Sequence, residues 1–124
     1  MLKWFSFIVT SLLGAFARYF IASFVYKKLG TGFPYGTLLV NLSGCMAIGF
    51  FNSLAESRML LTPGERLVLM TGFCGAFTTF SSFLLETSNL LKSGEWGLGV
   101  LNIAGSVVAG LIFLRMGETL AQLV

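Results

Sequence analysis

Four stretches of this 124-residue chain are long and apolar enough to cross a lipid bilayer, and that limits the fold before any motif is considered. A helix needs about 20 mostly apolar residues to traverse the hydrocarbon. Trp4 to Tyr26 holds a single charge, Arg18, while Phe33 to Ala55, Leu67 to Leu85 and Trp96 to Leu114 hold none. Spans are therefore expected at about residues 4–26, 33–55, 67–91 and 96–114, forming one four-helix transmembrane domain. Charged residues make up 10% of the chain, where a soluble domain carries about a quarter, so the bilayer is expected to hold nearly all of it.

The first apolar run follows Lys3, as in a secretory signal, but it is too long for a signal core and lacks a small-residue cleavage site. A retained helix is expected. The connections "KKLGTG", "ESRMLLTPGER" and "KSGE" are short, which makes consecutive helices antiparallel neighbours and leaves no soluble domain for a nucleotide or nucleic acid. Pro34 and Pro63 stand at or just before span starts, where a missing N–H costs little. "GLGVLNIAG" has the wrong glycine spacing for a phosphate loop, and no strand precedes it. Cys45 and Cys74 lie inside spans and read as small apolar packing residues. With no His and no Asp, a zinc site or a Ser/His/Asp hydrolase is excluded by inventory, and an enzyme is not expected.

Orientation normally follows Lys and Arg in short loops. One side of the membrane receives Lys3, Arg58, Arg66 and Arg115, and the other Lys27, Lys28 and Lys92. So small a bias allows two readings. Either the chain inserts both ways up, so that opposite orientations pair as an antiparallel homodimer, or one loop dominates and fixes a single orientation.

Polar residues within spans are expensive and are functional candidates. Arg18 lies nine residues before Lys27, about 13 Å along a helix, and can line a vestibule, pair across an interface or snorkel as an anchor. Glu86 is six residues before Lys92, and the simpler expectation is that it faces headgroups. Thr37, Asn41 and Cys45 recur every four residues in the second span, and Asn102, Ser106 and Gly110 do so in the fourth. Each stripe shares one helix face. Such residues serve as glue between helices, helped by small pairs such as Gly105 with Ala109, or as donors along a polar pathway.

The third span contains "GFCGAFTTFSSF", Gly72 to Phe83. Gly72 and Gly75, followed by the β-branched pair Thr78 and Thr79, weaken a helix there. A break near the middle of the span is expected, since irregular backbone at this depth is tolerated where it is buried in protein or lines a cavity. Freed carbonyls at such a break can coordinate a cation. The competing reading is an unbroken helix whose hydroxyls bond to their own preceding turn. Phe80 and Phe83 then share a face, and ring edges, which are positive, favour a small anion, although phenylalanines at this spacing also pack as ordinary apolar residues.

Along essentially its whole length the chain resembles the small bacterial fluoride channels of the Fluc (CrcB) family. The matching blocks are "GAFARY" (Gly14 to Tyr19), "PYGTLLVNLSG" (Pro34 to Gly44), "TGFCGAFTTFSSF" (Thr71 to Phe83) followed by Glu86, and "NIAGS" (Asn102 to Ser106). The resemblance implies an all-α, dual-topology antiparallel homodimer in the bacterial inner membrane, with two fluoride pores that let the ion leave the cytoplasm passively and so relieve its toxicity. By the same resemblance Asn41, Phe80 and Phe83 line the pore, with Thr37, Asn102 and Ser106 beside them, and Arg18 stands near the entrance. Gly75 and Thr78 lend backbone carbonyls from both subunits to a structural sodium. The fourth span departs from the pattern, since position 102 is aromatic in some relatives and Asn here.

Two alternatives have different requirements. A small proton-coupled multidrug exporter needs a carboxylate deep in its first helix, where this chain has Arg18. A non-conducting assembly subunit would use its polar residues only as glue.

Overall fold

The computed structural model describes residues 1–124. The chain is all-helical, and four segments meet the length and hydropathy needed to cross a membrane. The first span is α1 (Leu2–Leu29) and the second α2 (Tyr35–Glu56). The third is composite: α3 (Pro63–Arg66), a π-helical stretch (Leu67–Cys74), α4 (Gly75–Phe77) and, after a break, α5 (Phe80–Lys92). The fourth is α6 (Trp96–Ala121).

Local chemistry sets the ends. Gly30 closes α1 with φ 81°, a left-handed angle that glycine takes without steric cost, and its N–H bonds to the Tyr26 carbonyl at 2.9 Å. Thr62 opens the third span with a capping box: its hydroxyl accepts from the Glu65 N–H, and the Glu65 carboxylate accepts from the Thr62 N–H at 2.8 Å. Pro63 follows at the first helical position, where no intrahelical donor is needed.

The sequence gives no warning of the π-helical stretch. Its wider turns weaken the i−4 bonding pattern, and the Val68 carbonyl lies 3.0 Å from the Thr10 hydroxyl of α1, which can donate to it. Gly72 allows this approach, since a Cβ there would lie 2.7 Å from the same Thr10 oxygen. The third span as a whole bends by about 21°.

Only 20 of the 124 residues are buried within the chain, and four of these are Thr37, Ser53, Thr87 and Asn102. Large apolar side chains such as Phe16, Phe20, Phe24, Leu111 and Ile112 are exposed instead. That inversion suits a hydrocarbon solvent, in which the polar groups must find partners inside the protein. Helix contact then relies on small residues. α2 and α6 make the most extensive pairing, and they approach so closely that a Cβ on Gly49 would strike the Leu114 carbonyl and one on Gly117 the Met46 carbonyl.

Adding that one carbon tests the packing. Gly117→Ala is expected to lower the thermal stability of the detergent-solubilised protein by about 1–3 kcal/mol, the usual cost of overpacking. Gly97→Ala, which meets no atom within 4 Å, is expected to leave it unchanged. Equal melting temperatures for the two variants would contradict the close α2–α6 contact.

Candidate functional site

The break falls at Thr78 and Thr79, both in extended conformation, with φ, ψ of −85°, 159° and −148°, 116°. In an unbroken helix the Thr79 N–H would bond to the Gly75 carbonyl. Here it donates to Asn41 Oδ1 at 2.8 Å, and Asn41 Nδ2 donates to the Thr79 carbonyl at 3.0 Å. One side-chain amide thus pairs both polar groups of the interrupted residue. Gly44, one turn along α2 from Asn41, makes room, because a Cβ there would strike the Thr78 methyl.

The hydroxyls divide their work. Thr78 bonds back to the Cys74 carbonyl at 2.9 Å, as the unbroken-helix reading supposed, although the helix ends regardless. Thr79 caps α5 by accepting from the Ser82 N–H at 3.2 Å. α5 therefore starts in mid-span, with the positive end of its dipole at the break.

Phe80 and Phe83 stand side by side, ring centroids 5.8 Å apart and tilted by 38°. Phe83 is buried, whereas Phe80 is 71% exposed and open to whatever covers this face. Both line a cavity of about 370 Å³ together with Asn41, Thr79 and Ser106. An amide nitrogen carries two N–H donors, so Asn41 keeps one after bonding Thr79. Gly75 and Thr78 border the same cavity.

The Gly75 and Thr78 carbonyls are those that the family resemblance implies for a sodium ion. Gly75 has lost its Thr79 donor, and Thr78 accepts only a long bond of 3.4 Å from Arg18 Nη1. Oxygen atoms with lone pairs to spare fit a hard cation. Arg18 is thereby tied to the break, not snorkelled toward Lys27.

Thr37 does not border the phenylalanine cavity. It is buried and donates to Glu86 Oε1 at 2.8 Å, and Tyr26 donates to the same oxygen at 2.8 Å. Glu86 therefore faces inward instead of toward headgroups. Its Oε2 is buried without any partner, an unusual condition for a carboxylate oxygen. Arg18, Thr37, Ser82 and Glu86 line a second cavity of about 460 Å³, which shares Thr79 with the first.

In the fourth span Ser106 reaches the first cavity, but Asn102 does not. Asn102 is 2% exposed and donates to the Thr87 hydroxyl at 2.8 Å. Sequence reasoning gave Tyr26 no role and placed Thr87 only as a hydroxyl near the face of Phe80 and Phe83. Tyr26 sits at a span end, where a tyrosine ordinarily marks the interface, and Thr87 belongs to no polar stripe; each finds its partner only across helices.

Residues 5–118 match the family described as CrcB-like protein, Camphor Resistance (CrcB). The chain is 50% identical over 111 residues to the fluoride-specific ion channel FluC of Chlorobium phaeobacteroides, covering 90% of this chain and 86% of that one. It is 46% identical to the protein of the same name in Methylocella silvestris, covering 92% and 88%. The corresponding protein of Maridesulfovibrio salexigens is 40% identical, with 90% and 88% covered.

If Asn41 holds the break, Asn41→Leu strands a half-buried N–H and a half-buried C=O together. An expected loss of about 2 kcal/mol or more follows, with faster amide exchange at residues 78–82 by mass spectrometry. Unchanged stability and exchange would show that the two groups find other partners.

Proposed function

Because the chain belongs to the CrcB-like family, and the relatives named above are fluoride-specific ion channels, we propose that its fluoride path runs past the break in the third span. The chain is a multi-pass membrane protein and a fluoride channel, and its family is one of transporters. The observation that carries the proposed path is the cavity in which Asn41, Phe80, Phe83 and Ser106 meet beside the amino-terminal end of α5.

Fluoride binds water strongly, so a path must replace its hydration shell or exclude it. The free N–H of Asn41 supplies a donor, and the Ser106 hydroxyl, engaged only in a long 3.5 Å bond to Asn102 Oδ1, can turn to supply another. The positive edges of Phe80 and Phe83 supply further favourable contact without the full desolvation cost of a fixed cation. The helix end at Phe80 adds partial positive charge. Weak, distributed sites of this kind let an ion enter and leave, and conduction is then passive and electrogenic. Thr37 acts one step removed, through Glu86, and Arg18 raises the anion concentration in the vestibule.

An exposed Phe80 and an exposed apolar exterior support a second copy of the chain as the cover, antiparallel in view of the loop charges. In that dimer Gly75 and Thr78 carbonyls from the two copies would hold the structural sodium, whose role is to supply fixed positive charge at the centre. Residence in the bacterial inner membrane belongs to the same reading.

The test is efflux from liposomes loaded with potassium fluoride or potassium chloride, started with valinomycin and followed by ion-selective electrodes. Fluoride release with little chloride release is expected. Phe80→Ile or Phe83→Ile should slow fluoride by about tenfold in a protein that still elutes as the wild type does. Release of neither ion from folded protein would overturn the channel, and unaffected Phe→Ile variants would return the rings to packing.

A further inference from the structure

The two phenylalanines lie between two amides. Before Phe80, Asn41 holds both backbone groups of Thr79. Beyond Phe83, Asn102 Nδ2 donates to Thr87 Oγ1 at 2.8 Å, and Thr87 donates to the Phe83 carbonyl at 2.7 Å. All three members of this relay are buried, Asn102 at 2%, Thr87 at 4% and Phe83 at 9% exposed. From these observations we infer that Asn102 is a positioning residue for the fluoride path, fixing through Thr87 the rotation of α5 that turns Phe83 toward the cavity.

A threonine in a helix chooses between two side-chain rotamers, only some of which reach the carbonyl one turn back. The Asn102 amide selects one of them, because Thr87 has a single hydrogen to give and it goes to Phe83 while the oxygen accepts from Asn102. Bonds in such a chain polarise one another, so the pair holds more firmly than its members do separately. The neighbouring packing keeps the two helices in register. Gly99, one turn before Asn102 and also buried, admits Leu91 of α5, whose Cδ2 would lie 2.6 Å from a Cβ at that position. Asn41 pins the start of α5, Glu86 ties its far part to α1 and α2 through Tyr26 and Thr37, and Asn102 supplies the side-chain bond that holds it to α6. The segment from Thr79 to Thr87 is then held at each end and on both sides, and Phe80 and Phe83 lie inside it.

Asn102 does not border the cavity itself and acts through Phe83; its other contact, a long 3.5 Å bond accepted from Ser106, is left in place by Thr87→Val, which isolates the relay. This rests on the fluoride path proposed above. A residue that merely glued α5 to α6 would change the amount of folded protein without changing what each folded molecule conducts.

The experiment compares wild type, Thr87→Val, Thr87→Ser, Asn102→Leu and the double variant Thr87→Val with Asn102→Leu. Fluoride and chloride efflux are both measured per folded protein, alongside thermal unfolding. Val is isosteric with Thr, so Thr87→Val tests the relay even if Asn102→Leu does not fold. Thr87→Val and Asn102→Leu are each expected to slow fluoride by about tenfold and to lower the fluoride-to-chloride ratio. The double variant is expected to be no slower than either single one, since both break the same relay. Thr87→Ser, which keeps the hydroxyl, should stay within about twofold of wild type. A conducting wild type with Thr87→Val unaffected, with losses that multiply in the double variant, or with an unaltered ion ratio overturns the positioning role alone. A wild type that releases neither ion overturns the fluoride path and this role with it.

Discussion

The paired hydrogen bonds between Asn41 and Thr79 are what the rest of the site depends on. A broken helix in hydrocarbon exposes backbone donors and acceptors that no water can satisfy, at a cost of several kcal/mol for each group left bare. A side-chain amide is the one neutral group that offers a donor and an acceptor at the spacing of a peptide. With Asn41 in place the chain can stop one helix at Phe77 and start another at Phe80 within the membrane. From that follow a helix end in mid-span, carbonyls released from their usual donors, and two phenylalanines at the first turn of α5.

The surroundings of the break are arranged to let backbones come close. Gly44 admits Thr78, Gly72 admits Thr10, and the α2–α6 contact is made over Gly49 and Gly117. Lipid tails are as apolar as leucine, so helices gain little by hiding leucines from them, and close packing with internal polar bonds has to hold the bundle instead. The same logic explains the interior. Thr37, Ser53, Thr87 and Asn102 are buried while most of the large apolar side chains, Phe16, Phe20 and Leu111 among them, face outward. Glu86 is the exception within that scheme, since Tyr26 and Thr37 satisfy one oxygen and leave the other bare.

Much of this was legible in the residues. Four apolar runs announced four spans, and the glycine and threonine cluster announced a break in the third. The glycines, however, are not where the chain breaks: Gly72 lies in the π-helical stretch and Gly75 opens α4, while the extended residues are the two threonines. Gly72 is spent on contact with Thr10, which a pattern along one helix cannot reveal. Asn41 read equally well as glue or as a pore donor. It bonds the break with one N–H and borders the cavity, so the two readings were never exclusive. Glu86 read as a headgroup contact because its distance from Lys92 says how deep it lies and nothing about which way it turns. Asn102 was grouped with Ser106 by spacing, and a long 3.5 Å bond does join them, yet Asn102 is buried on Thr87 while Ser106 reaches the cavity.

By itself the sequence determined that this chain crosses a membrane four times, where each crossing lies, and where the third is weakest. Those properties are sums over neighbouring residues, since transfer into lipid and helix propensity are both nearly local quantities. Only the tertiary structure decided that Asn41 meets Thr79, that Glu86 turns inward and that Asn102 reaches Phe83 through Thr87. Each of those outcomes depends on the rotation of one helix against another, and a rotation of a few tens of degrees, invisible in composition or spacing, gives a polar side chain a different partner.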